Sequence, residues 1–153
     1  MKLWLAGIGL VAVMGGVPFL SAGAQTDPAR VVTERREGLK TVGTHFEAIA
    51  GVIRAGGDTR SVVDRIAAVE AFFVGFGARF PANTQQGAPG VDSRALPTIW
   101  TDRAGFDRVD AALPPRLVAL REAAASGNVA NSQAALQAAG AACGECHRPY
   151  RAR

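Results

Sequence analysis

Two thiols and an imidazole stand close together near the end of the 153-residue chain, in the stretch Cys143-Gly144-Glu145-Cys146-His147. This spacing is typical of covalent c-type haem attachment, in which each thiol adds to one haem vinyl group and the histidine ligates the iron. On a helix, Cys143 and Cys146 face the same way, and His147 lies one turn beyond Cys143. All three groups can therefore contact one macrocycle lying against the helix, and the motif predicts one haem c attached through both cysteines.

The same residue types also occur in two other kinds of site. A C-x-x-C pair serves dithiol redox proteins, where it belongs to a βαβ setting, and cysteine with histidine binds structural zinc, which needs a fourth protein ligand. Neither a strand pattern nor a second ligand cluster is visible in the sequence. The haem interpretation is favoured, with a haem-free dithiol redox protein kept as an alternative.

Residues 1–24 are predicted to be a secretory signal peptide. Lys2 precedes an almost wholly apolar stretch, and Ser21-Ala22-Gly23-Ala24 ends in the A-x-A pattern of a cleavage site. An uncleaved membrane anchor is the alternative, but glycine and proline interrupt the apolar run, which is short for a membrane span. We therefore expect an exported, periplasmic protein whose single domain covers residues 25–153, with no membrane attachment after cleavage.

Composition and charge restrict the ligands and partners. The formal net charge is +4, and two haem propionates would cancel much of it, so nucleic-acid binding is not predicted. Both methionines, Met1 and Met14, precede the expected cleavage site. The mature chain would therefore have no methionine to offer as an iron ligand.

Four stretches carry apolar residues at steps of three and four, the pattern of amphipathic helices, and no strand pattern accompanies them. The sequence therefore predicts an all-α, antiparallel four-helix bundle that binds covalent haem. Pro114-Pro115 is expected to kink or restart the third helix, and residues 81–97 form a long loop that covers something or crosses the bundle. The helices are expected to start at Pro28, Asp58, Asp102 and Val129 and to end at Gly56, Pro81, Ala124 and Tyr150.

Two residues on the stripe of the first predicted helix that faces the interior of the bundle are relevant to the haem site. Arg35 breaks the apolar pattern where no carboxylate can pair with it, so a haem propionate would satisfy its charge; the alternative is that it extends to solvent. Leu39 cannot ligate iron, and over the haem it would leave five-coordinate iron under an apolar lid. From the stripe alone, a core leucine that contacts no haem is the better interpretation. His45 and Lys40 lie off the stripe, and we expect them at the surface rather than on the iron.

Several motifs together resemble the cytochrome c prime family over residues 27–153. They are Arg35-x-x-x-Leu39-Lys40, Phe80-Pro81, Ile99-Trp100 followed by Phe106, and Cys143-x-x-Cys146-His147-x-x-Tyr150-Arg151. The resemblance implies that Arg35 approaches a propionate, that Leu39 occupies the distal position and that Arg151 lies near the proximal histidine. Pro149 departs from the pattern and is expected to fray or bend the last turn.

The family resemblance implies electron transfer, binding of nitric oxide or carbon monoxide, or both, without catalysis. An apolar site under Leu39 favours gas binding, and a dedicated gas-binding protein is the alternative to an electron carrier. Basic residues at Arg148, Arg151 and Arg153 are compatible with an acidic redox partner of unknown identity, although such clusters are more often only solvated. Homodimers occur in the family and are a further possibility.

Overall fold

The computed structural model describes residues 27–153, and four of its helices form an antiparallel bundle. The helices are α1 (Pro28–Arg54), α2 (Val63–Phe73), the single turn α3 (Thr98–Thr101), α4 (Arg103–Ala125) and α5 (Val129–Tyr150). In the bundle, α4 packs against α5 and α2, and α1 packs against α2 and α5.

No helix over residues 27–153 combines the length and hydrophobicity needed to cross a membrane. The predicted signal peptide and its cleavage after Ala24 lie outside the described residues.

Side-chain caps start the three longest helices where the sequence predicts. Asp27 accepts a hydrogen bond from the backbone N–H of Ala29, Asp102 accepts one from Gly105, and Asn128 accepts one from Asn131. Each cap satisfies a backbone donor that has no partner within the helix, which stabilises a helix by about 1 kcal/mol.

The second helix ends earlier than predicted. Helix α2 stops at Phe73, because Gly75 adopts a left-handed conformation (φ 64°) that glycine tolerates without steric cost. The chain then forms a short 3₁₀ turn at Phe76–Arg79. Phe76 and Phe80 stay buried despite the break, so the apolar stripe is preserved although the helix is not.

The prolines of α4 do not restart it. Of the predicted kink or restart, the restart is therefore wrong, and the kink stays a prediction. The helix is continuous through Pro114 and Pro115, and both rings are exposed. Carbonyl groups that lose their helical donors on this side of α4 can bond to water, while Leu113 and Leu117 remain in the core. Pro149 is likewise exposed, and the last turn of α5 stays helical as far as Tyr150.

The buried residues form two clusters at different levels of the bundle. The larger is aliphatic and lies between all four long helices. The smaller is mostly aromatic and lies beside the C-x-x-C-H motif; its rings meet edge to face, with centroids 4.9 Å apart for Phe80 and Phe106 and 5.4 Å apart for Phe106 and Tyr150. Such contacts add to the 1.5–3 kcal/mol that burying a large apolar side chain contributes, by about 0.5–1.5 kcal/mol per ring pair.

The crossover segment, residues 81–97, is attached to the end of α5. The backbone N–H of Leu96 donates to the carbonyl of Tyr150 (3.0 Å), and that of Ala152 donates to the carbonyl of Arg94 (2.8 Å). Just beyond the segment, the Thr98 hydroxyl donates to the carbonyl of Pro149 (2.8 Å). The contacts to Tyr150 and Pro149 satisfy carbonyl groups of the kind that every helix leaves free at its C-terminus. They also place the segment next to the motif histidine.

Candidate haem site

A cavity of about 900 Å³ opens between α1, α5 and the crossover segment. This is near the upper end of the roughly 300–1,000 Å³ found for ligand sites. Most of its wall is apolar, as expected of a site that excludes water from a bound group. The apolar wall consists of Leu39, Val42, Phe46, Phe73, Phe76, Phe80, Ala95, Ile99, Phe106 and Leu113.

All three chemical groups of the motif line this cavity. Cys143 and Cys146 are half-buried and form no disulfide bond within residues 27–153, and His147 is only partly buried. Burial raises the pKa of Cys143, and burial together with the charge of Asp110 raises the pKa of Cys146 to about 11. Both therefore carry their S–H proton at neutral pH, and an S–H group supplies both atoms that add across a vinyl double bond.

The environment of His147 keeps its imidazole neutral. Burial lowers the pKa of His147, and the positive charge of Arg151 lowers it further. The neutral ring has a nitrogen lone pair available, which is the form that ligates a metal. Arg151 lines the same cavity as His147.

The cavity has room where the sequence has small residues. Gly43 on α1 and Gly140 on α5 line it, and a Cβ atom added at either position would meet nothing within 4 Å. Open space on two facing helices, an apolar wall and a set of two thiols and one imidazole together fit a flat iron macrocycle. The residues present therefore fit haem c.

Comparison with known proteins decides the family. A sequence profile described as Cytochrome C' matches residues 30–151. The chain belongs to the cytochrome c' family. As a member of it, the chain carries covalently attached haem c, as predicted.

Individual relatives agree in both sequence and fold. The chain is 34% identical to the cytochrome c' of Rhodopseudomonas palustris over 151 residues, covering 94% of this chain and 96% of the relative. The crystal structure of cytochrome c' from Thermochromatium tepidum aligns with a TM-score of 0.78 and 25% identity, covering 85% of this chain and all of that one. Two variants of the Alcaligenes xylosoxidans protein, one solved as its nitric oxide complex and one with carbon monoxide bound, each align with a TM-score of 0.73 and 25% identity, covering 84% of this chain and 98% of theirs.

Arg35 lies at the cavity but does not extend to solvent. Only 4% of its surface is exposed, and its guanidinium lies 4.3 Å from the centroid of the Phe80 ring. It donates to the carbonyl of Arg79 (2.8 Å), to the hydroxyl of Ser93 (3.0 Å) and to the carbonyl of Thr84 (3.1 Å). Burial lowers the pKa of Arg35 to about 10, so it stays charged at neutral pH. The crossover segment therefore supplies partners that the sequence reasoning expected only from a propionate.

Leu39 and the two other residues considered as iron ligands, Lys40 and His45, differ in their positions relative to the cavity. Leu39 is half-buried and lines the cavity, so it is more than a core residue remote from the site. Lys40 also lines the cavity and is exposed. His45 is not among the lining residues, and its Nδ1 atom is buried without a hydrogen-bond partner among the described residues.

Sequence reasoning missed the polar groups that hold this site in place. Thr84 and Ser93 are buried, at 0% and 7% exposure, and both contact Arg35. A hydroxyl group in a loop belongs to no periodic sequence pattern. The only signal for such partners was that a buried Arg35 needs hydrogen-bond acceptors. The hydrogen bond from Tyr150 to Asp102 (2.7 Å) was also missed, because the two residues are 48 positions apart.

Proposed function

We propose that this protein is a periplasmic, redox-active haem c protein whose five-coordinate iron binds small neutral gases. In this proposal Cys143 and Cys146 hold the haem as thioethers, and His147 is the only protein ligand of the iron. The observation that carries it is the composition of the cavity wall: most of the side chains that line it are apolar, and Leu39 on α1 is among them. When bound, haem supplies an iron centre that changes between ferric and ferrous states and accepts a diatomic ligand.

The residues of this chain perform three tasks in the proposal. The thiols fix the group against α5, so that it cannot dissociate. The imidazole of His147, whose lowered pKa favours the neutral form, would ligate the iron. Leu39 would exclude water from the cavity and offers no hydrogen-bond donor, which would leave O₂ without stabilisation and favour carbon monoxide and nitric oxide.

Two further observations support gas binding and export. The related Alcaligenes xylosoxidans variants were solved with nitric oxide and with carbon monoxide bound. Export is supported by the signal-like stretch ahead of Gln25. A homodimer, implied only by the family resemblance, stays a prediction.

Electron transfer to an acidic partner is the second candidate. Arg94, Arg151 and Lys40 are exposed at the opening of the cavity and form no ion pair within residues 27–153, whereas the neighbouring Arg36 binds Asp92. Exposed, unpaired cations around the edge of a redox group attract an acidic protein and speed its association. This charged opening is the specific reason for keeping the electron-carrier role.

Gas titration and electron exchange test the two candidates separately. Carbon monoxide added to the dithionite-reduced protein should change the absorption spectrum with a saturating, single-site isotherm; an unchanged spectrum would overturn the gas-binding proposal. For electron transfer, the rate of oxidation by anionic ferricyanide should fall with rising salt and should fall again in Lys40→Gln and Arg94→Gln. An oxidation rate that is equal in wild type and in both variants at low salt would show that the charged opening is not a docking surface.

A further inference from the structure

The crossover segment is folded around the guanidinium of Arg35. One η nitrogen of Arg35 donates to the carbonyl of Arg79 and to the Thr84 hydroxyl (3.4 Å), and the other donates to the carbonyl of Thr84 and to the Ser93 hydroxyl. Arg79 lies just before the crossover segment, and Thr84 and Ser93 lie within it. One side chain on α1 thus binds two residues of the segment, Thr84 and Ser93, that are nine positions apart.

The two hydroxyl residues extend this contact into a closed network. Ser93 donates to the carbonyl of Thr84 (2.7 Å) and accepts from the backbone N–H of Ala95 (3.1 Å), while Thr84 donates to the carbonyl of Pro81 (2.8 Å). Arg35, Thr84 and Ser93 are all buried, so water cannot replace a lost partner without opening the segment.

This network fixes one wall of the haem cavity. Ala95 lines the cavity, follows Ser93 by two residues and accepts a hydrogen bond from Gln86 (2.7 Å). Phe80, another wall residue, lies directly under the Arg35 guanidinium. The far end of the segment is held at the C-terminus of α5, three residues beyond His147. A rigid connection therefore runs from α1, which carries Leu39, to the end of the helix that carries the motif.

We propose that Arg35 is a positioning residue that holds the crossover segment closed over the haem cavity, acting through Thr84 and Ser93 in addition to any contact with a propionate. In this role the forked arrangement of the N–H donors on the Arg35 guanidinium matters as well as its charge. A lysine has the same charge but a compact ammonium that cannot reach four acceptors on two sides. The role applies equally to an electron carrier and to a gas-binding protein, so it stands apart from the proposed function.

The test separates position from charge in the haem-loaded protein. Arg35→Lys keeps the charge and removes the forked set of donors, and Ser93→Ala keeps Arg35 and removes one acceptor. Arg65→Gln removes an exposed charge on α2, outside the network and the cavity wall, as a control. Hydrogen–deuterium exchange of peptides covering residues 84–96 should become roughly tenfold faster or more in the first two variants, the effect of losing about one hydrogen bond to a charged group. The control should exchange at the wild-type rate.

Gas kinetics give an independent readout. Carbon monoxide release from the ferrous protein should be faster in Arg35→Lys and Ser93→Ala by a similar factor, with little change in reduction potential. Wild-type exchange of residues 84–96 in both variants, or equally fast exchange in Arg65→Gln, would overturn the proposal and leave Arg35 as a counter-charge alone. If Arg35→Lys fails to fold, Ser93→Ala decides the question by itself.

Discussion

The hydroxyl of Tyr150 lies 2.7 Å from Oδ2 of Asp102 and donates a hydrogen bond to it. The same carboxylate caps α4 through Oδ1, which accepts from the backbone N–H of Gly105 (3.0 Å). The last residue of the helix that carries the haem motif is thereby joined to the first turn of its neighbour. Tyr150 also lines the cavity, so this pair helps to set where α5 lies relative to the haem.

Gly105 should not tolerate a side chain. A Cβ atom there would lie 2.5 Å from the Tyr150 hydroxyl oxygen and closer still to Asp102 Oδ2. Gly105→Ala should therefore lower the free energy of unfolding by about 1–3 kcal/mol, as overpacking of a filled site does. The matched control is Gly51→Ala at an exposed position of α1, where a Cβ atom would meet nothing within 4 Å. Alanine there should raise the free energy of unfolding by about 0.5–1 kcal/mol. Urea unfolding compares them; a neutral Gly105→Ala would mean that the pair is dispensable.

The Tyr150–Asp102 pair predicts a pH-dependent stability. The hydrogen bond from Tyr150, followed by that from Gly105, lowers the pKa of Asp102, while the same pair raises the pKa of Tyr150. A lowered carboxyl pKa stabilises the fold above the unfolded value, about 3.9, and this stabilisation is lost as pH falls through the folded pKa. The raised tyrosine pKa acts in the opposite sense: its contribution is present below about 10 and is lost as pH rises beyond it.

Tyr150→Phe tests the predicted direction in which the stability changes with pH. Wild type should be more stable than the variant near pH 6, and the difference in the midpoint of urea unfolding should shrink as pH falls below about 3.9, the value for an unfolded aspartate, and Asp102 becomes protonated. A difference that stays constant as pH falls below that value would show that Asp102 does not depend on the tyrosine hydroxyl.

Filling the cavity should block the cofactor without unfolding the bundle. Gly140→Leu places a side chain into open cavity space, and leucine suits a helix better than glycine by roughly 0.7–1 kcal/mol. We expect normal helical circular dichroism but a haem-to-protein ratio several-fold below wild type. Gly51→Leu, which does not line the cavity, should load haem normally. Equal loading of both variants would place the haem elsewhere.

A methionine at Leu39 should ligate the iron. The side chain at this position lines the cavity from α1, and thioether sulfur is a common sixth haem ligand. Leu39→Met should give a low-spin absorption spectrum and weaken carbon monoxide binding by about tenfold or more. Leu39→Ile, which cannot ligate, should stay like wild type. A high-spin spectrum in Leu39→Met would mean that Leu39 is not above the iron.

Local rules account for what the sequence predicted well. Helix starts at Asp27, Asp102 and Asn128 depend on one capping side chain each, and the stripe of α5 depends on the helical period alone. The motif at Cys143 to His147 is likewise contiguous, so its chemistry could be predicted without the fold.

Predictions became less accurate where distant parts of the chain decide the outcome. Gly75 ends α2 although the apolar stripe continues to Phe80, and Pro114 is tolerated because it faces solvent, which no local pattern reveals. Arg35 is the clearest case. Its charge predicted a propionate, whereas acceptors 49 and 58 positions away in the chain already satisfy much of it.

The coordination of the iron tests the central claim most directly. The measurement is the absorption and resonance Raman spectrum of the purified, dithionite-reduced protein before any gas is added. An open site under Leu39 predicts a high-spin, five-coordinate ferrous haem with His147 as its only axial protein ligand. A low-spin, six-coordinate spectrum would contradict the account, because it would require a second protein ligand where the cavity wall is apolar.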